Sequence, residues 1–120
     1  MGPFKRNDIV DAKFIFLDGA TNEPIDVNNP TYRIVHYSNM VEIEDVAQTA
    51  LEKIVGRTGE YLASWLIPGT ATENENYFIY ASGTHPIDLT NTLLEEIFRI
   101  VPIEYFTGSS NGLQISFIKP

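Results

Sequence analysis

The chain predicts an all-β fold of antiparallel strands, on three observations. Two neighbouring runs, Glu60-Tyr61-Leu62-Ala63-Ser64-Trp65-Leu66-Ile67-Pro68 and Asn76-Tyr77-Phe78-Ile79-Tyr80-Ala81-Ser82-Gly83, are short, aromatic and β-prone, and each ends in a breaker. The polar stretch between them, Gly69-Thr70-Ala71-Thr72-Glu73-Asn74-Glu75, suits a turn and not a helix. Near the other end of the sequence, Leu113-Gln114-Ile115-Ser116-Phe117-Ile118 alternates with a period of two. The first two runs read as an antiparallel hairpin with Trp65 as a core anchor.

In chain order, Ala12-Lys13-Phe14-Ile15-Phe16-Leu17-Asp18 reads as a strand with Ala12, Phe14 and Phe16 on one face. Gly19-Ala20-Thr21-Asn22-Glu23-Pro24 is a turn by composition, and Ile25-Asp26-Val27 a brief extended return before Asn28-Asn29-Pro30. Thr31 to Tyr37 is a second strand, with Tyr32, Ile34 and His36 opposite Arg33, Val35 and Tyr37. Residues 39–56 carry two patterns. Ile43, Val46, Ala47, Ala50, Leu51 and Ile54 fall at helical spacing with Asn39 as a cap, whereas the β-branched content and the alternation Val41-Glu42-Ile43-Glu44 suit a strand. Leu93 to Val101 is equally divided between a helical stripe and one side of a strand, and Pro102 stops either. The turn-rich Thr107-Gly108-Ser109-Ser110-Asn111-Gly112 precedes the final strand, Leu113 to Ile118.

Composition narrows the classes. The 120 residues make one domain with 43% hydrophobic content, so the chain is not disordered, and it holds no 18-residue apolar run to span a membrane. The start, Met1 to Asp8, lacks the apolar stretch of a secretory signal. Without cysteine, disulfides, thiolate metal sites and cysteine nucleophiles are excluded. Sixteen acidic residues against eight basic give a net charge of −8, with no basic cluster beyond Lys5-Arg6, which argues against gripping nucleic acid.

No catalytic or metal-binding constellation stands out. His36 lies mid-strand beside tyrosines and His85 precedes Pro86 in a loop, with no second histidine at ligand spacing. Asp18 and Asp26-Val27-Asn28-Asn29 are oxygen-rich but lack the glycine and terminal glutamate of a calcium loop, and Asx residues in turns commonly bond their own backbone. Glu95 and Glu96 would point to opposite faces of a strand. Ser64 has no Gly-x-Ser-x-Gly frame, and Gly56-Arg57-Thr58-Gly59 is too short for a phosphate loop. The expectation is a non-enzymatic protein with no cofactor and no metal. Tyr32, Tyr37, Tyr61, Tyr77, Tyr80 and Tyr105 with Trp65 offer the material for a sugar-stacking platform, although alternation buries about half of any such set.

The order of the pieces is itself informative. Phe14-Ile15-Phe16-Leu17-Asp18, the turn and return Asn22 to Val27, Tyr32-Arg33-Ile34-Val35, the phrase Gly59 to Pro68, Tyr77-Phe78-Ile79-Tyr80 and the closing Glu95-Glu96-Ile97-Phe98-Arg99-Ile100-Val101-Pro102 follow one another. This succession, over about residues 10 to 102, resembles immunoglobulin-like β-sandwich modules, in particular small ones of tailed-bacteriophage virion proteins. The resemblance implies an antiparallel sandwich of about seven strands, with 41–47 and 95–101 as strands. The chain lacks the Cys-Trp-Cys pattern of antibody domains, and Trp65 falls in a later strand than their core tryptophan.

The expected organisation is an N-terminal arm over 1–9, the immunoglobulin-like sandwich over 10–102, and a C-terminal extension over 103–120 with one added strand. The function expected is that of a structural protein of a tailed-phage virion, as neck or connector, capsid decoration or tail attachment. It would be assembled in the host cytoplasm with copies of itself and other virion proteins as partners, and with no membrane role. The alternative is a glycan- or host-surface-binding sandwich. Both ends either fold onto their own sheet or reach to a neighbour, completing its sheet by strand addition. The candidate partner-binding residues are Phe4, Tyr105, Phe106, Leu113, Ile115 and Phe117.

Overall fold

A computed structural model describes residues 1–104. Seven strands follow in order: β1 (Ile9–Ile15), β2 (Asn28–Ser38), β3 (Val41–Ala50), β4 (Glu52–Lys53), β5 (Glu60–Leu66), β6 (Glu75–Thr84) and β7 (Asn91–Ile100). They form two antiparallel sheets, β1-β5-β4 and β3-β2-β6-β7. The fold is all-β, as the alternation in the sequence implies.

The core lies between the sheets, where alternate residues of β1, β2, β5, β6 and β7 meet. β1 contributes Val10, Ala12 and Phe14, with Phe16 just beyond its end, and β5 contributes Tyr61 and Ala63. Facing them are Tyr32 and Ile34 of β2, Tyr77, Ile79 and Ala81 of β6, and Phe98 and Ile100 of β7. Burying such side chains contributes about 1.5–3 kcal/mol apiece relative to leaving them exposed. Trp65 packs against this core and is only half-buried, with its ring 5.9 Å from Tyr77 and 6.2 Å from Phe98.

Residues 41–50 and 91–100 are strands throughout. The β-branched content prevails over the helical spacing because β3 is an edge strand with little to bury, so its apolar residues need not form one stripe. Asn39 serves a turn and not a helix cap. Asn39 and Met40 both have positive φ, 51° and 65°, joining β2 to β3 in a two-residue hairpin turn.

The predicted hairpin of the Glu60–Pro68 and Asn76–Gly83 runs does not form. β5 pairs with β1 from Ile9↔Leu66 to Ile15↔Glu60, whereas β6 pairs with β2 and β7 in the other sheet. The connector is a crossover between sheets. Ile67 stays bonded to the strand entry, with its N–H donating to Asp8 O and its carbonyl accepting from Asn7 N, both 2.9 Å. Ile67 and Ala71 are buried along the way, and Arg6 Nε donates to the Ala71 carbonyl at 2.7 Å. Turn composition specifies a reversal here, but partner choice is set by which sheet each apolar face joins.

Candidate functional site

With one side of each sheet committed to the core, the other side of the four-stranded sheet is the surface with the most unusual composition. Its rows follow from the register. Glu44, Val35, Phe78 and Ile97 lie side by side across β3, β2, β6 and β7. The next row holds Arg33, Tyr80 and Glu95, and beyond it stand Thr31, Ser82 and Leu93. On the other side of the central row, Tyr37 pairs with Glu42 and Asn76 with Arg99.

A β-strand of a one-sided sheet normally alternates apolar and polar residues, yet β6 reads Tyr77-Phe78-Ile79-Tyr80 and is apolar on both faces. Tyr77 and Ile79 fill the core while Phe78 and Tyr80 stand on the outer face, their rings parallel within 8° at 6.1 Å. Tyr37 meets Phe78 edge-on at 5.7 Å. Ile97 and Leu93 extend the apolar band to β7 and are 45% and 66% exposed. Val35 lies beneath this layer, fully buried although outside the core cluster.

Arg33, Glu42, Glu44 and Arg99 on this face are engaged with one another or with neighbouring amide groups, while Glu95 stands beside Tyr80. Arg33 Nη1 donates to Glu42 Oε2 at 2.8 Å and lies 3.8 Å from Glu44 Oε2, while its guanidinium sits over the Tyr80 ring at 5.4 Å. The bond from Arg33 holds the Glu42 carboxyl below its usual range and raises the guanidinium in turn. The Tyr80 hydroxyl is pushed up to about 12, first by desolvation and then by its hydrogen bond with Tyr37. Arg99 bonds the Asn76 side chain at 3.3 Å and the Asn74 carbonyl at 2.9 Å. The face therefore presents apolar rings framed by the Arg33–Glu42 ion pair on one side and by Arg99, bonded to Asn76 and Asn74, on the other. It holds a depression of about 110 Å³ lined by Thr31, Arg33, Gln48, Tyr80, Ser82 and Leu93.

The residues singled out from sequence are distributed as follows. Phe4 is half-buried edge-on against Phe98 at 5.7 Å, its N–H donating to Arg99 O and its carbonyl accepting from Val101 N. The N-terminal segment thus lies along the end of β7. Tyr105, Phe106, Leu113, Ile115 and Phe117 lie outside the described residues, as does the predicted strand Leu113 to Ile118. Of the tyrosines, Tyr32, Tyr61 and Tyr77 are buried, and Tyr37 and Tyr80 reach the outer face. His36 is buried, its ring 4.7 Å from that of Tyr77 and tilted 33° to it, and is bonded through Nδ1 to Asp45 Oδ2 at 2.6 Å. The Nδ1 atom of His85 accepts the N–H groups of Ile87 and Asp88 and so closes the β6–β7 turn, and its Nε2 lies 3.5 Å from Asp18 Oδ2. Among the described residues no three or more His, Asp or Glu side chains converge as metal ligands.

The sequence offered Tyr37 and Tyr80 only within a wider set of tyrosines for a sugar platform and did not join them to Phe78, Ile97 and Leu93 as one outer face. The signal was present in the unbroken apolar run, which exceeds what one face of a sheet can bury. No protein-family model matches the chain, and comparisons with curated proteins and with solved structures return no significant match.

Proposed function

We propose that this chain is a non-enzymatic structural protein that acts by protein–protein assembly through the outer face of its four-stranded sheet. The observation that carries this reading is the apolar band Tyr37, Phe78, Tyr80, Ile97 and Leu93, framed by the Arg33–Glu42 ion pair and the bonded Arg99. A protein interface needs apolar anchors at its centre and charges that do not have to be stripped unpaired from water. A sheet face of this kind suits a macromolecule better than a small substrate, which needs a concave site.

The arrangement of β1-β5-β4 against β3-β2-β6-β7 supports an immunoglobulin-like topology as part of this reading. The resemblance drawn from the strand order supports a tailed-phage particle as the setting, as neck, decoration or tail component. The test is affinity capture of the tagged full chain from its native source, followed by mass spectrometry. Capsid, portal or tail subunits at stoichiometric amounts are expected, and Ile97→Asp with Tyr37→Ala should abolish their recovery while the protein stays folded. Recovery that ignores both substitutions would remove the outer face from the assembly.

A second reading rests on the parallel Phe78 and Tyr80 rings beside the depression that holds the Thr31 and Ser82 hydroxyls and the Gln48 amide. Rings and hydroxyls together suit a sugar. Added oligosaccharide should then shift the NMR signals of Tyr80 and Gln48 without any protein partner.

A further inference from the structure

The sheets leave their outer strands open, and those strands are not alike. β3 is broken by two register shifts against β2 and carries Glu42 and Glu44, both devices that discourage a further strand. β4 has only two residues. β1 exposes Asp11 and Lys13, and residues 23–25 bond back to Phe16 and Asp18 at its end. β7 carries Glu95 and Glu96 but has no break in register, no proline and no lysine: ten residues pair with β6 from Thr84↔Asn91 to Glu75↔Ile100. Among the described residues only Phe4 pairs with its free side, at the Arg99–Val101 end. From Asn91 to Ile97 the free side has no ladder partner among the described residues, its one contact there being the Met1 amine on the Glu96 side chain at 3.3 Å, with Leu93 and Ile97 exposed on one face and Leu94 half-buried on the other.

We propose that the free side of β7 accepts residues Leu113 to Ile118 of a second copy of this chain as an added strand. This deepens the assembly reading, on which it rests, by naming one partner. The segment alternates, placing Leu113, Ile115 and Phe117 on one face, where they extend the apolar band of Leu93 and Ile97. Six residues at about 3.3 Å each cover roughly 20 Å, the length of the open stretch. Lys119 follows directly and offers a cation to Glu95 on the outer face, Glu96 being bonded to the Met1 amine at 3.3 Å. The second copy is favoured over a return of the chain onto itself because Phe4 occupies the end of β7 from which the chain leaves. A tight hairpin onto the same strand would have to begin there. Because the donated segment and the receiving edge are different surfaces, the contact is head-to-tail and closes into a ring or continues as a filament.

Two full-length variants test this. Leu93→Lys with Ile97→Lys alters the receiving edge at exposed positions, and Ile115→Asp with Phe117→Asp alters the donated segment. By light scattering the unsubstituted chain should form oligomers that dissociate on dilution, and each variant alone should lose self-association at least tenfold. Mixing the two should restore a dimer and nothing larger, since one supplies an intact segment and the other an intact edge. Oligomers indifferent to both variants, or a mixture that stays monomeric, would overturn the proposal. So would a monomeric unsubstituted chain. If that chain is monomeric yet still captures particle subunits through Tyr37 and Ile97, the assembly reading stands and only this inference falls.

Discussion

Arg33 and Tyr80 are direct partners across the β2–β6 ladder, and the guanidinium carbon of Arg33 stands 5.4 Å from the centre of the Tyr80 ring. The pair joins the charged and aromatic halves of the outer face. Arg33 is tied to Glu42 on one side and covers the ring on the other, while the Tyr80 hydroxyl is linked to Tyr37. A cation held in this way adds to the packing of the face without leaving a bare charge on it.

The first prediction concerns alkaline pH. The Tyr80 phenol is held at about 12 in the folded chain, against 10.0 for an unperturbed tyrosine. Between those values the unfolded chain has released a proton that the folded chain keeps, so stability falls as pH rises from 10 to 12 and is unaffected by this group below 10. Urea midpoints measured across that window should decline, and Tyr80→Phe should decline less. Equal slopes for both proteins would show that Tyr80 titrates normally.

Trp65 lies in the second prediction. Its ring touches Tyr77 and Phe98 from the edge of the core, so Trp65→Ala removes contacts to two buried rings while leaving part of the gap open to solvent. The expected loss is about 3 kcal/mol, at the lower end for truncation of a large aromatic side chain. A loss below about 1 kcal/mol in denaturant unfolding would mean that the ring is largely free of the core.

Two glycines make the third. A Cβ at Gly83 would collide with the Val27 side chain, and Phe16 Cε2 would lie 3.2 Å away. At Gly59, φ is +74° and a Cβ would lie 2.8 Å from the backbone N of Ile25 and 2.9 Å from the Phe16 carbonyl. Gly59→Ala meets both a disfavoured conformation and rigid backbone, so it should cost about 3 kcal/mol or more. Gly83→Ala meets Val27 Cγ2 and, at 2.9 Å, Val27 Cβ, a stiff β-branched side chain whose relief needs the Val27 backbone to move, and should likewise cost about 3 kcal/mol. Both losses are read by thermal unfolding, and a near-neutral result at either position would mean that its neighbours move aside without cost.

How far the sequence reveals this molecule depends on the range of the interaction concerned. The inward faces of β1, Ala12-Phe14-Phe16, and of β2, Tyr32-Ile34-His36, follow from alternation alone because a strand's pleat is a local property. The placement of β5 and β6 in different sheets does not, since the Gly69–Glu75 connector can either reverse within a sheet or cross between two. What selects the crossover is the burial of Ile67 and Ala71 with the bonds of Ile67 to Asn7 and Asp8, sixty residues away by the order of the fold. The helix-or-strand ambiguity of 39–56 has the same origin, because an edge strand need not display a clean apolar face. The outer face was legible in part: Tyr77 to Tyr80 announces two apolar faces, but its junction with Tyr37, Ile97 and Leu93 needs the register of three strands.

The last prediction follows from the tip of the β2–β3 hairpin. Asn39 and Met40 both lie at positive φ, the geometry of a two-residue turn that favours Asn followed by Gly. Met40 is 98% exposed, so its side chain has almost no contacts to lose, and its backbone sits where a Cβ is disfavoured. Met40→Gly should therefore stabilise the protein by roughly 1 kcal/mol, read as a higher denaturant midpoint with unchanged slope. No gain would mean that the turn relaxes away from this geometry in solution. The same variant also separates stability from assembly. Met40 adjoins the exposed Val41 at the end of β3, and if capture of partner subunits falls while stability rises, the strained methionine belongs to the interface. Capture that is unchanged confines the interface to Tyr37, Phe78, Tyr80, Ile97 and Leu93, and leaves the tip as a turn with a replaceable residue.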